Sequence, residues 1–81
     1  MQIEVQMFAA AREAAGSATI QIEVDSGAKA SDVIAAIGVV VPTIVDLLPA
    51  CRLAIDNSYV SNETVVPVGS ELALIPPVSG G

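Results

Sequence analysis

The sequence predicts an α+β fold, a mixed β-sheet packed on one principal helix, and three observations carry that prediction. Segments with apolar and polar residues in strict alternation stand near the start of the chain, and a short apolar segment bounded by turn residues stands near its end. Between them lies a single apolar stripe at helical spacing. At 81 residues there is room for only one domain, so helix and strands must bury their apolar sides against each other.

The elements follow in order. Ile3-Glu4-Val5-Gln6-Met7 alternates with period two and Phe8 extends it, giving a half-buried strand over residues 2–8. Ala9 to Ala15 is alanine-rich with Arg12 and Glu13, strong helix formers, and Gly16 follows as a stop, so a short helix or helical turn sits there. Thr19 to Val24 alternates again and closes on Asp25-Ser26-Gly27, which carries turn chemistry. Ser31 is the expected N-cap of the principal helix, whose stripe is Val33, Ile34 and Ile37, with Gly38 ending or weakening it. Pro42 pushes Val39-Val40-Val41 toward an extended stretch, and Ile44, Val45, Leu47 and Leu48 form a second helical turn ending at Pro49. Cys51 to Ile55 reads as a strand, Asp56-Asn57-Ser58 as a turn with left-handed or Asx geometry, and Tyr59-Val60 and Thr64-Val65-Val66 as short extended pieces. Residues 71–75 form the last strand, expected beside the first inside the sheet because Leu72, Leu74 and Ile75 make it so apolar. This order is that of a β-grasp. It divides the chain into a domain over residues 1–76 and an extended tail over residues 77–81.

Composition excludes several kinds of chemistry. Histidine is absent and Cys51 is the only cysteine, so there is no Ser-His-Asp triad, no Cys-His pair, no Cys/His zinc site and no internal disulfide. Cys51 reads as a small buried apolar residue, and a lone thiol fits a reducing cytosol. A net charge of −6 disfavours nucleic acid and anionic membrane surfaces and makes a basic partner surface the expectation. The start, Met1-Gln2-Ile3-Glu4, has neither the basic nor the apolar segment of a signal peptide, and no stretch of 18 apolar residues occurs, so a cytoplasmic protein is expected. Hydrophobic residues make up 53% of the chain, yet only Phe8 and Tyr59 are aromatic, so the core must be aliphatic.

Chemistry is advertised at one place, the ending Pro76-Pro77-Val78-Ser79-Gly80-Gly81. Short runs of small residues also occur as plain chain ends. Here the stiff Pro-Pro stem follows directly on an apolar strand, and the five residues from Pro77 to Gly81 reach roughly 16 Å when extended. Glycine has no Cβ, so a Gly-Gly end enters a narrow channel and leaves its carbonyl unshielded. A free carboxylate there is an unreactive anion at neutral pH until another enzyme activates it.

Three segments resemble one family, the ubiquitin-like sulfur carriers that form the small subunit of molybdopterin synthase (MoaD). Phe8-Ala9-Ala10-Ala11-Arg12-Glu13 resembles that family's Phe-Ala-x-x-Arg-Glu run. Leu53 to Val60 is similar to its Ala-Val-Asn-x-x-x-Val segment, and Val68 to Ile75 followed by Pro76-Pro77-Val78-Ser79-Gly80-Gly81 resembles its ending. Leu74-Ile75 stands where the family often has aromatic residues, and Ser70 where an Asp is common.

The resemblance implies a carrier with no bound cofactor and no metal. An activating enzyme uses ATP and Mg²⁺ to adenylate the Gly81 carboxylate, and a sulfur donor displaces AMP to give a thiocarboxylate. Docked on the large synthase subunit in a 2:2 heterotetramer, that sulfur passes to a cyclic pyranopterin phosphate to build the molybdopterin dithiolene. Feeding thiamine thiazole or tRNA thiolation, acting as a ubiquitin-like tag on lysines, and serving as a plain interaction module are the alternatives; a single lysine, Lys29, suits a polymer-forming tag poorly. For the partner interface the resemblance points to Phe8, Arg12, Leu74 and Ile75. Each has a plainer reading: Phe8 as a core residue, Arg12 as a solvated helical charge, and one of Leu74 and Ile75 facing the core because strand side chains alternate.

Overall fold

A computed structural model describes residues 1–77. Five strands form one sheet in the order β2-β1-β5-β3-β4. They are β1 (Gln2–Met7), β2 (Thr19–Glu23), β3 (Arg52–Ile55), β4 (Ser58–Tyr59) and β5 (Leu72–Ile75). Two helices, α1 (Ala9–Ala15) and α2 (Ala30–Val40), and two short 3₁₀ turns, Pro42–Ile44 and Leu48–Ala50, complete it. β1 pairs antiparallel with β2 and parallel with β5, and β5 pairs antiparallel with β3. The last strand therefore lies beside the first at the centre of a mixed sheet, as its apolar character predicts.

Local chemistry explains most element ends. Gly16 adopts φ 70° and its N–H donates to the Arg12 carbonyl at 2.9 Å, closing α1 with the left-handed cap that glycine takes without steric cost. β3 and β4 are joined by Asp56 and Asn57 alone, both at positive φ (48° and 69°), the geometry of the two-residue hairpin that Asp and Asn favour. The first strand stops at Met7, and Phe8, still extended, is the N-cap of α1.

Four expectations are corrected around α2. The helix begins at Ala30 with Lys29 as N-cap, not at Ser31. The Asp32 carboxylate accepts the Lys29 N–H at 2.9 Å, while the N–H groups of Ala30 and Ser31 donate to the carbonyls of Thr64 and Asn62 at 2.8 and 3.0 Å. A distant loop thus satisfies the first turn, so no side-chain cap at Ser31 is required. Gly38 does not end the helix: a Cβ there would lie 3.0 Å from Leu48 Cδ1, so glycine makes room for the segment that folds back over it. Val39 and Val40 are helical, and only Val41 leaves the helix, since proline restricts just the residue before it. Pro49 lies inside the second 3₁₀ turn rather than after it. Of the piece Thr64 to Val66, a single bridge between Val65 and Lys29 forms.

The core is aliphatic. Its largest fully buried side chains are Ile22, Ile37, Ile44, Leu53, Leu72, Leu74, Val5 and Val33, where α2 and the 3₁₀ segment cover one face of the sheet. Neither aromatic residue belongs to it: Phe8 is 44% exposed and Tyr59 56% exposed. The core reading of Phe8 is thereby corrected.

Candidate functional site

The helix covers only one face of the sheet, and strand alternation assigns each residue to a side. Val5, Met7, Leu53, Leu72 and Leu74 point into the core. Gln6, Ala73, Ala54 and Tyr59 form a row on the opposite, open face, because Gln6 is registered with Ala73, Ala73 with Ala54, and Ala54 with Tyr59. Two residues further along, on the same face, the parallel register brings Phe8 level with Ile75, which is itself paired with Arg52. A shallow groove of about 230 Å³ runs between Phe8, Ile75, Ala73, Ala54 and Tyr59. It is apolar, and it ends where β5 hands the chain to Pro76.

Three of the four expected interface residues fall on or beside this groove. Phe8 and Ile75 line it directly. Arg12, exposed on α1, sits just past the end of β1, beside a hollow shared with Gln6, Phe8 and Thr19. Leu74 does not belong to it: with no exposed surface it is a core residue, so the interface expectation for Leu74 is corrected and of the pair only Ile75 offers a contact. Pro76 is buried and Pro77 exposed, so the stem is anchored at its first proline. Val78, Ser79, Gly80 and Gly81 lie outside the described residues.

Tyr59, which lines the groove, and Arg52 beside it are not among the site residues expected from the sequence. Tyr59 is held flat by the Arg52 guanidinium, 4.4 Å from its ring centroid, a cation–π contact that fixes an exposed aromatic in place. The signal was present in the chain, since Tyr59 is the only aromatic besides Phe8 and Arg52 begins an otherwise apolar strand.

The groove holds no reactive machinery. Its polar neighbours are amides and a phenol, and among the described residues no three His, Cys, Asp or Glu side chains come together to hold a metal. Cys51 lies elsewhere, buried, with its thiol donating to the Leu47 carbonyl at 3.3 Å; burial pushes its pKa up, away from nucleophilic use. An apolar groove without a base or nucleophile is suited to recognition. No helix among the described residues is long and apolar enough to cross a membrane.

A sheet that grasps one principal helix and presents an apolar open face at the root of its C-terminal stem defines a ubiquitin-like β-grasp protein. Among solved structures, SAMP1 of Haloferax volcanii, a small archaeal modifier protein, superposes with a TM-score of 0.86 at 28% identity over 100% of both chains. One subunit of a complex of subunits 1 and 2 of the molybdopterin-converting factor from Helicobacter pylori shares the fold, with a TM-score of 0.68 at 23% identity over 100% of each chain. The chain belongs to the ThiS family, whose model matches residues 5–81. It is 36% identical to a molybdopterin synthase sulfur carrier subunit of Chlamydomonas reinhardtii over the full length of both.

Proposed function

We propose that this chain is the sulfur carrier subunit of a molybdopterin synthase, with Gly81 as the group that carries sulfur. The observation that bears most weight is the end-to-end likeness to a relative of that name, together with an apolar groove placed at the root of the Pro76-Pro77 stem. The groove binds, and the tail reacts.

The chemistry follows from what the chain lacks. The Gly81 carboxylate attacks the α-phosphate of Mg²⁺-bound ATP in an activating enzyme; pyrophosphate leaves and an acyl adenylate remains. A sulfur nucleophile then adds to the acyl carbon and AMP departs; hydrosulfide gives the thiocarboxylate directly, whereas a donor persulfide gives an acyl persulfide whose S–S bond a second thiol cleaves, freeing the thiocarboxylate and forming a disulfide on the donor. Its sulfur is a softer and better nucleophile than a carboxylate oxygen. Because the groove supplies no base, proton transfer and substrate binding fall to the large subunit, in whose site sulfur passes to a cyclic pyranopterin phosphate and the Gly81 carboxylate is regenerated. A dithiolene contains two sulfurs, so each product consumes two loaded carriers. A 2:2 heterotetramer places one carrier at each large-subunit site, and the reading puts the cycle in the cytoplasm.

The test is reconstitution. Thiocarboxylated carrier, large subunit and precursor pterin should yield molybdopterin, and a chain lacking Gly81 should yield none while melting at the same temperature. A Gly81-deleted chain that retains activity would rule the reading out. A second reading, a protein modifier joined through Gly81 to lysines, is favoured by the likeness to SAMP1. Conjugates to other proteins, found by mass spectrometry in place of a thiocarboxylate, would select it.

A further inference from the structure

Net charge and charge distribution point to different partners. Two of the three basic residues stand at the tail end of the molecule. Arg52 is registered with Ile75, the residue before the stem, and Arg12 follows the end of β1 on the other side. Both are exposed, and among the described residues neither lies within ion-pair distance of a carboxylate. Only Glu13 on α1 and Asp46, in the segment leading into β3, share this end with them.

The other seven carboxylates lie further back. Glu4 and Glu71 flank the level at which β1 meets the start of β5, about 13 Å from Ile75 at ~3.3 Å per residue, and Asp56 is tied to the same point, its carboxylate accepting the Glu71 N–H at 2.9 Å. Glu23 is registered with Gln2, near the opposite end of β1. Asp25 precedes the start of α2, Asp32 caps it, and Glu63 pairs with Lys29 at 3.1 Å. Lys29 is the only basic side chain among these seven acids. Counted over side chains, the tail end is thus balanced, and the whole side-chain charge of −6 sits behind it.

We propose that the surface receiving this carrier is apolar at its centre and carries carboxylates at its rim that pair with Arg12 and Arg52. This rests on the carrier reading above and names the chemistry of its docking partner, the large synthase subunit. The groove supplies apolar and aromatic contact, and two arginines beside it complete the composition that interfaces favour over the rest of a protein surface. Positive charge in the partner belongs deep in the channel, where the tail carboxylate and a phosphorylated substrate end. A basic rim would attract the wrong end of this molecule, since the excess negative charge lies opposite the tail. The acidic rear faces solvent, and its only long-range effect on an acidic rim is a weak repulsion.

Association kinetics with the purified large subunit decide it, because rim charges act mainly on the association rate and its salt dependence. Arg12→Ala and Arg52→Ala should each slow association about threefold at low salt, and the Arg12→Glu/Arg52→Glu pair tenfold or more, with the differences shrinking at high salt. Neutralising the rear with Asp25→Asn/Glu63→Gln should leave the rate unchanged or raise it. Arginine variants that associate faster, or rear variants that associate more slowly, would overturn the proposal while leaving the carrier reading intact. A wild-type chain that does not bind the large subunit at all would overturn both. Unchanged melting temperatures in all variants separate these outcomes from misfolding.

Discussion

Leu74 and Ile75 are neighbours on one strand and belong to different machines. Leu74 faces the core and is fully buried; Ile75 faces away and lines the groove at the root of the stem. The same division runs across the sheet. On the helix side every large residue is aliphatic and closely packed, whereas on the open side stand both aromatics of the chain, exposed. The aliphatic residues fill the core and the aromatics stand on the open face, and the alternation of a β-strand is sufficient to keep the two apart.

Substitutions that separate the two faces should have effects of different kinds. The largest change in stability is expected from Leu74→Ala, at about 2–5 kcal/mol by denaturant titration, because a fully buried leucine at the centre of the sheet leaves a cavity. In a domain of this size that approaches the total stability. On the other face, Ile75→Asp or Phe8→Ala should weaken binding to the large subunit by tenfold or more, with a stability change within about 0.5 kcal/mol. A Phe8→Ala variant that unfolds but binds normally when folded would reverse the assignment of the faces.

A smaller effect is expected where the two regions join. Ala9 connects exposed Phe8 to buried Ala11 at φ 48°, a left-handed conformation that costs a residue with a Cβ about 1–2 kcal/mol. Ala9→Gly should raise stability by about 1 kcal/mol, and an unchanged or lowered midpoint would mean that the strain is absent. Smallest is Cys51. Burial raises its thiol pKa above the ordinary 9.0, so the neutral form is favoured in the folded state; the stability that it contributes is complete below the unfolded-state pKa and is lost as pH rises through the folded one. Below about pH 8 the thiol should react with a thiol reagent far more slowly in the folded chain than in the unfolded one, and equal rates would contradict its burial.

Much of this was legible in the chain because it depends on local chemistry. The period-two strands, the Gly16 stop, the Asp56-Asn57 hairpin and the central position of the last strand all follow from residue type and spacing. What was not legible depends on distant contacts. Lys29 caps α2 because loop carbonyls from Asn62 and Thr64 reach its first turn, and Gly38 stays helical because Leu48 packs where a side chain would stand. The site was half legible for the same reason: Phe8, Arg12 and the stem stand out along the chain, but Tyr59, Ala54 and Ala73 become one surface only through the strand register.

The central proposal is that another enzyme loads Gly81 with sulfur. Intact-mass measurement after incubation with the activating enzyme, ATP, Mg²⁺ and a sulfur donor tests it most directly. The account predicts a mass increase equal to the exchange of one oxygen for one sulfur, confined to the Gly81 residue on fragmentation. An unchanged mass, with an activating enzyme shown to be competent on another carrier, would contradict it.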